Sequence, residues 1–270
     1  MSNLNANTKR LVSLYLDVEL KTSFTQNYLG HHYTTAAIDE EYVWAFGMLT
    51  RNESTANTPA LSYLSNTAIK RILLSMSASG LSFNPQEKHF YLQAELGADR
   101  ALIPKVILGY LGMRQLAMNS GLVAGMSCDI VFESDSFTWY GNRKEPSFSS
   151  CTRDPGENVS WGFVVLYMKD GSINSYRMSG EELMSIQSND MQMREEMGDG
   201  IKSSLYSGPW RERCLRIALW RCAFREFKHI FTKEKLLVEE RAGQSDGHFD
   251  AAVFGDAFAA ALNNMSEHVA

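Results

Sequence analysis

The segment 208–231, GPWRERCLRIALWRCAFREFKHIF, constrains the fold more than any other stretch because a helix over it has two distinct faces. At 100° per residue, about a quarter of the circumference carries a basic stripe. This stripe consists of Arg211, Arg221, Arg225 and Lys228. The opposite side carries Leu215, Leu219, Cys222, Ala223, Phe224 and Phe227. Pro209 suits a first helical turn. We predict a helix that buries one face and offers the other to anions; the alternative is an ordinary solvated face.

Charge is distributed unevenly along the chain. Residues 201–235 hold nine basic and three acidic side chains, whereas 180–200 and 236–270 each hold one basic and six acidic ones. The whole chain has a formal net charge of −5. One basic segment in an acidic chain indicates local contact with a polyanion and argues against coating nucleic acid with the whole surface.

The length and composition indicate a soluble protein with a full core. The chain has 270 residues, of which 44% are hydrophobic. Its four cysteines lack CxxC or metal-ligand spacing, so we expect free thiols in a reducing cytoplasm. Asp17 and Glu19 interrupt the short apolar run near the start, and no run is long enough to span a bilayer. We therefore expect neither a secretion signal nor contact with a membrane.

Hydrophobic periodicity and turn residues predict a mixed order of elements. Helices are predicted over 8–29, 36–49, 59–79 after an N-cap at Thr58, 109–120, and from a capping box at Ser179 and Glu182 to before Gly198. Strands are predicted over 88–96, 101–108, 122–133, 137–140, 160–169 and 172–177. Asp170-Gly171 predicts a hairpin between the last two strands.

The strand 160–169 carries aromatic residues on one face. Both faces of the strand are apolar: one carries Trp161, Phe163, Val165 and Tyr167, and the other carries Val164, Leu166 and Met168. An aromatic row of this kind can stack the bases of a single strand. We favour the other interpretation, in which the row belongs to the hydrophobic core.

Motifs for nucleotide-driven or metal-dependent chemistry are weak. No GxxxxGK[ST] sequence occurs, so no loop is expected to cradle nucleotide phosphates. Asp129, Glu133 and Asp135 with Lys144 form the nearest candidate for a metal-dependent nuclease site. The same spacing is typical of a strand edge and turn. We predict a protein that is not an enzyme and needs no cofactor or metal.

Several short segments occur in a distinctive order. SGLSFNP (79–85) and HFYL (89–92) are followed by GYLGMRQLAMNSG (109–121), DSFTWYG (135–141), LYMKDG (166–171) and GPW (208–210). In this order they resemble the RecT / Red beta family of phage single-strand annealing recombinases, over roughly residues 60–230. The chain departs from RecT at Leu111, Leu219 and Trp220, where RecT has basic residues, so we expect the DNA path to use the arginines differently.

The resemblance implies a fold and a function. The fold is α+β, with a small antiparallel sheet packed with helices as in the Rad-type annealing proteins, flanked by N-terminal helices and a C-terminal tail. The function is ATP-independent annealing of single-stranded DNA in homologous recombination, inside the bacterial host cell. Partners implied are single-stranded DNA, the nascent duplex and further copies of the chain in a ring or helical filament. The alternatives are a passive single-strand-binding protein of the OB type and, less favoured, the nuclease.

We expect three regions along the chain. Residues 1–57 form an N-terminal helical oligomerisation region, 58–241 the DNA-binding annealing core, and 242–270 a flexible acidic tail. An amphipathic stretch over 249–262 is expected to dock a partner such as an exonuclease or the host single-strand-binding protein.

The expected DNA contacts are basic residues. Arg216, Arg221 and Lys228 match positions that are basic in Red beta, where the resemblance implies contact with the DNA backbone. The full set of candidates is Arg221, Lys228, Arg225, Arg216, Arg211, Arg114, Lys105 and Arg71.

Overall fold

The computed structural model describes residues 6–31, 33–50, 59–97, 101–152, 156–196 and 210–242. The described helices are α1 (Ala6–Tyr15), α2 (Val18–Leu29), α3 (Thr35–Thr50), α4 (Asn66–Ala78), α5 (Tyr110–Asn119), α6 (Gly180–Glu196) and α7 (Arg211–Ala242), with a short 3-10 turn at Leu61–Tyr63. The strands are β1 (Phe90–Leu96), β2 (Leu102–Leu108), β3 (Val123–Phe132), β4 (Ser136–Thr138), β5 (Ser147–Ser149), β6 (Val159–Met168) and β7 (Ile173–Ser179). All strand pairs are antiparallel, which confirms the α+β prediction.

The chain divides into two compact units. One comprises 1–119 with 232–270, and the other comprises 120–231. We expected region boundaries after residues 57 and 241, which separate an oligomerisation region, a DNA-binding core and a tail. These functional regions remain a prediction. The expected docking stretch 249–262 lies outside the described residues.

Two polar side chains set helix boundaries that periodicity does not reveal. We predicted one helix over 8–29, but Asp17 ends it by accepting a hydrogen bond from the Leu20 N–H (3.1 Å) and so caps α2. Its carboxylate also pairs with Lys70 (2.6 Å). The helix predicted from Thr58 begins instead after Ser65, whose hydroxyl accepts from the Ala68 N–H (3.2 Å). In both cases a side-chain oxygen satisfies an amide that the first turn leaves unpaired.

A buried carboxylate fastens the segment between α4 and β1. Glu41 on α3 is 3% exposed and accepts hydrogen bonds from the Ser82 hydroxyl (2.5 Å) and the Phe83 N–H (2.6 Å). Burial raises the pKa of Glu41. The Ser82 N–H donates to Nδ1 of His89 (2.9 Å), and burial lowers the pKa of that imidazole, which favours the neutral form that can accept.

The GYLGM sequence has a steric explanation. The N–H of Gly109 donates to the His89 carbonyl (2.8 Å), so α5 begins against the backbone that leads into β1. A Cβ on Gly109 would lie 2.2 Å from the Lys88 oxygen, and one on Gly112 would lie 2.0 Å from the His89 oxygen. Only glycine permits this approach, because the obstructing atoms belong to the backbone.

We expect Gly112→Ala to lower the free energy of unfolding by about 3 kcal/mol, because the new methyl group forces α5 away from His89. Gly47→Ala is the matched control: this glycine lies within α3 with nothing within 4 Å of its would-be Cβ. The control should gain about 0.5–1 kcal/mol from better helix propensity. Urea unfolding measures both changes. Equal stabilities of Gly112→Ala and the wild type would contradict the close packing.

In the unit 120–231, a three-stranded sheet of order β3-β6-β7 lies between two layers. On one face, Phe163 packs against Phe137 and Phe148 of the β4–β5 hairpin, with ring centroids 5.4 Å apart in both pairs. On the other face, a Cβ on Gly162 would meet Leu183 of α6 and Leu219 of α7. Phe163 and Val165 are buried, which confirms that these two members of the row belong to the core, whereas Trp161 and Tyr167 are only partly buried.

The predicted turn and cap chemistry is present in this unit. Gly171 has φ +82°, as the predicted hairpin between β6 and β7 requires. The Ser179 hydroxyl accepts from the Glu182 N–H (3.2 Å), and the Glu182 carboxylate accepts from the Ser179 N–H (2.8 Å). The capping box at the start of α6 is therefore confirmed.

Candidate nucleic-acid interface

The apolar face of α7 is part of the core. Five members of the predicted apolar face are buried, and the sixth, Cys222, is only partly buried. The buried residues are Leu215, Leu219, Ala223, Phe224 and Phe227. The Phe224 ring stacks on Trp220 with centroids 5.4 Å apart, and the Phe227 ring meets Tyr176 of β7 at 6.5 Å. The helix extends to Ala242, beyond the predicted end at 231, while Pro209 lies outside the described residues. Packing on the sheet therefore fixes how α7 is rotated about its axis.

Arg221 and Arg225 lie on the exposed side of α7. They are four residues apart and so neighbours on one helix surface. Neither guanidinium forms a hydrogen bond or ion pair with another residue in the described part of the chain. Burial raises the pKa of the nearby Cys222 thiol, so this side chain adds no negative charge. Within the described residues, the pair thus offers two exposed cations without an ion-pair partner, whereas the side chain of Lys228 is not described.

Arg216 faces the edge of the sheet. It donates to the Cys128 carbonyl (3.0 Å) and pairs with Asp129 (3.0 Å) and Glu212 (2.7 Å). Burial alone would lower the pKa of Arg216, but these carboxylates outweigh it and raise the pKa. DNA contact by Arg216 remains a prediction.

Arg211 is half-buried at the start of α7. It donates to the Glu157 carbonyl (3.0 Å) and approaches the Met184 sulfur (3.4 Å). These contacts join α7 to α6 and to the segment before β6. Any DNA contact by Arg211 would therefore be made by a side chain that also positions this helix.

The other candidates belong to the unit that contains residues 1–119. Arg71 is exposed on α4, and Arg114 is exposed on α5. Lys105 on β2 is partly buried and pairs with Glu95 of β1 (3.1 Å). Among the predicted contacts, the structure thus brings Arg221 and Arg225 together as an exposed pair. Their roles in DNA binding are predictions.

Sequence reasoning missed one basic side chain that lies among aromatic rings. Arg177 of β7 has its guanidinium carbon 4.6 Å from the ring centroid of Trp161 and 5.2 Å from that of Trp139. The alternation of β7 was a usable signal, because it places Arg177 opposite Phe163 in the hairpin register. The contact with Trp139 was not predictable, however, because the sequence does not show where β4 packs.

The acidic residues of the nuclease alternative contact different protein groups and do not converge on one site. Asp129 pairs with Arg216, and Asp135 accepts from the Phe132 and Cys151 amides (2.9 and 2.8 Å). Glu133 accepts from the Asn158 amide (3.3 Å). Within the described ranges, no three His, Cys, Asp or Glu residues are grouped so as to hold a metal ion. Among the described helices, none combines the length and apolar character needed to cross a membrane.

The structure is that of an α+β protein with an exposed pair of arginines on α7. The family model described as "RecT family" matches residues 47–216, and this chain belongs to the RecT family. Membership implies a single-strand annealing protein of recombination, a class that is generally not catalytic. Comparison with curated protein sequences finds no significant match.

Proposed function

We propose that this protein anneals complementary single strands of DNA without nucleotide hydrolysis, holding the first strand by its phosphates. The observation that carries the proposal is the Arg221–Arg225 pair, which is exposed and has no ion-pair partner among the described residues, on a helix whose other face is fixed in the core. Lys228 extends the same stripe in sequence. The candidates Arg216, Arg211, Arg114, Lys105 and Arg71 are less favoured than this pair. In the described part of the chain, all of them except Arg71 interact with other residues of the protein.

Phosphate contacts suit an annealing protein because they carry no sequence information and leave the base edges free. The free energy comes from pairing, at about 1.4 kcal/mol per base-pair step, so ATP is not required. A passive single-strand-binding protein of the OB type would instead place its main phosphate contacts on the strands of a closed barrel. Here the exposed Arg221–Arg225 pair lies on a helix, and the described sheets are small and open, which favours annealing.

Two arginines reach only a few nucleotides, so annealing over a useful length requires many subunits side by side. We propose a homo-oligomer, either a ring or a helical filament, with residues 1–57 contributing subunit contacts. Such an assembly would join the Arg221–Arg225 pairs of successive copies into one continuous track along the first strand and the nascent duplex. Its setting would be the cytoplasm of the bacterial host.

The test is the renaturation of two complementary oligonucleotides, measured as the decrease in single-stranded DNA with time. We expect the protein to accelerate renaturation equally with and without ATP, and to leave strand length unchanged when Mg²⁺ is added. An ATP requirement would contradict the proposal. Slower renaturation would indicate a passive binding protein, and shortened strands would indicate a nuclease.

We expect removal of residues 242–270 to leave annealing in vitro within about twofold of the full chain, because this acidic segment should add nothing to phosphate binding. Recombination in cells should fall, through loss of a partner such as an exonuclease or the host single-strand-binding protein. Oligonucleotide renaturation and a cellular recombination assay measure the two effects. Loss of DNA binding by the truncated protein would show that the segment belongs to the core.

A further inference from the structure

The face of the β3-β6-β7 sheet that carries the β4–β5 hairpin also carries a cation held by two indole rings. Arg177 and Trp161 lie on this face because Arg177 pairs with Phe163 across the β6–β7 ladder, and Trp161 is two residues from Phe163. Trp139 follows β4 and brings the second ring over the guanidinium. The two ring contacts fix the position of an otherwise long and flexible side chain.

The hydrogen-bonding groups of Arg177 have no partner among the described residues. The side chain is exposed, and within the described part of the chain it forms no hydrogen bond or ion pair. A guanidinium that stacks uses only its faces, so its N–H donors remain available in the plane. A positioned fork of donors with an uncompensated charge fits a phosphate, which it can bind through two parallel hydrogen bonds.

The surroundings add aromatic surface and positive charge. Trp139 and Trp161 are only partly buried, and Tyr140 is 56% exposed. The loop after Tyr140 carries the exposed cations Arg143 and Lys144. This loop is tied to β7, since the Ser175 N–H donates to the Asn142 carbonyl (2.8 Å) and Arg143 donates to the Asn174 amide oxygen (2.7 Å). Glu145 accepts from the Tyr167 hydroxyl and is the one acidic residue of the loop.

We propose that Trp139, Trp161 and Arg177 form a second contact for single-stranded nucleic acid, in which Arg177 binds a phosphate and the Trp139 indole stacks an unpaired base. The inference rests on the proposed annealing function and deepens it. Stacking uses the face of a base and leaves its pairing edge free to meet a complement. Because a duplex hides the faces of its bases, this contact would favour single strands over the product, whereas phosphate contacts alone do not distinguish them.

The test compares two labelled strands of equal length, a dT oligonucleotide and one with abasic sites throughout, by fluorescence anisotropy with the full chain. We expect Trp139→Leu to weaken binding of the dT strand roughly 5- to 100-fold, as loss of one stacked base implies. Binding of the abasic strand should stay unchanged in this variant. Trp139→Phe keeps an aromatic face and should retain most of the affinity for dT.

Arg177→Gln tests the phosphate contact. Because Arg177 is exposed, we expect this variant to fold normally. It should weaken binding of both strands, whereas Lys169→Gln, which removes an equal charge from the exposed end of β6 and β7, should not. Thermal unfolding checks that the variants are folded. Wild-type affinity of Trp139→Leu and Arg177→Gln for dT would overturn the inference while leaving annealing by Arg221 and Arg225 intact. Failure of the wild type to bind dT would overturn the proposed function itself.

Discussion

Phe224→Ala is expected to lower the free energy of unfolding by about 3–5 kcal/mol, the cost of removing a large aromatic side chain from a core. Phe224 is 1% exposed and stacks on Trp220. Its removal leaves a cavity on the face that holds α7 to the sheet. Since a small domain is stable by only about 5–15 kcal/mol, the variant should be partly unfolded under mild conditions.

The matched control is Trp210→Ala, which truncates an exposed aromatic side chain of the same segment. Trp210 is 62% exposed and touches Arg213, whose guanidinium carbon lies 5.9 Å from the ring centroid. Its truncation should cost below about 1 kcal/mol. Guanidinium chloride unfolding followed by circular dichroism measures both variants. If the two substitutions cost the same, Phe224 does not lie in a packed core and the rotation of α7 is wrong.

The double variant Arg221→Ala/Arg225→Ala should fold normally and lose DNA affinity almost uniformly across sequences. Each lost phosphate contact reduces the magnitude of the negative slope of log K against log salt by roughly 0.7 on single strands, so loss of the pair should reduce it by roughly 1.4. Titration of a labelled oligonucleotide at several salt concentrations gives both the affinity and the slope. Adding Lys228→Ala should further reduce the magnitude of the slope if this residue continues the basic stripe.

The charge-matched control is Lys9→Ala/Lys169→Ala, which removes two exposed lysines outside α7. It should leave the salt slope at the wild-type value, because a general loss of net charge does not remove a phosphate contact. An unchanged slope in Arg221→Ala/Arg225→Ala would mean that the exposed face is merely solvated. The assignment to the RecT family would survive that result, but the DNA-binding face would not.

Local patterns predicted much of the fold. Periodicity identified the buried face of α7, and the spacing of Ser179 and Glu182 identified the start of α6, because both depend on residues within a few positions of each other. The Asp170-Gly171 turn set the β6–β7 register in the same way. The boundaries at Asp17 and Ser65 were missed because isolated capping residues compete with a continuous apolar pattern.

Contacts across long sequence separations were not predictable from the chain alone. Arg216 is a basic residue of the kind that contacts DNA, yet it pairs with Asp129, which lies far away in sequence. Glu41 follows two exposed acidic residues, Asp39 and Glu40, but it is itself buried against Ser82 and Phe83. The Arg177 contact with Trp139 joins β7 to the segment after β4. In each case the partner is fixed by packing, so the charge of a residue does not by itself reveal its role.

The most direct test of the central claim is an order-of-addition measurement. The full-length protein is first saturated with one strand, without nucleotide, and either the complementary or an unrelated strand is then added. We predict that the bound strand pairs with its complement faster than two protein-free strands do, for any chosen sequence, and that Arg221→Ala/Arg225→Ala loses this acceleration. A bound strand that pairs more slowly than free DNA would contradict the account.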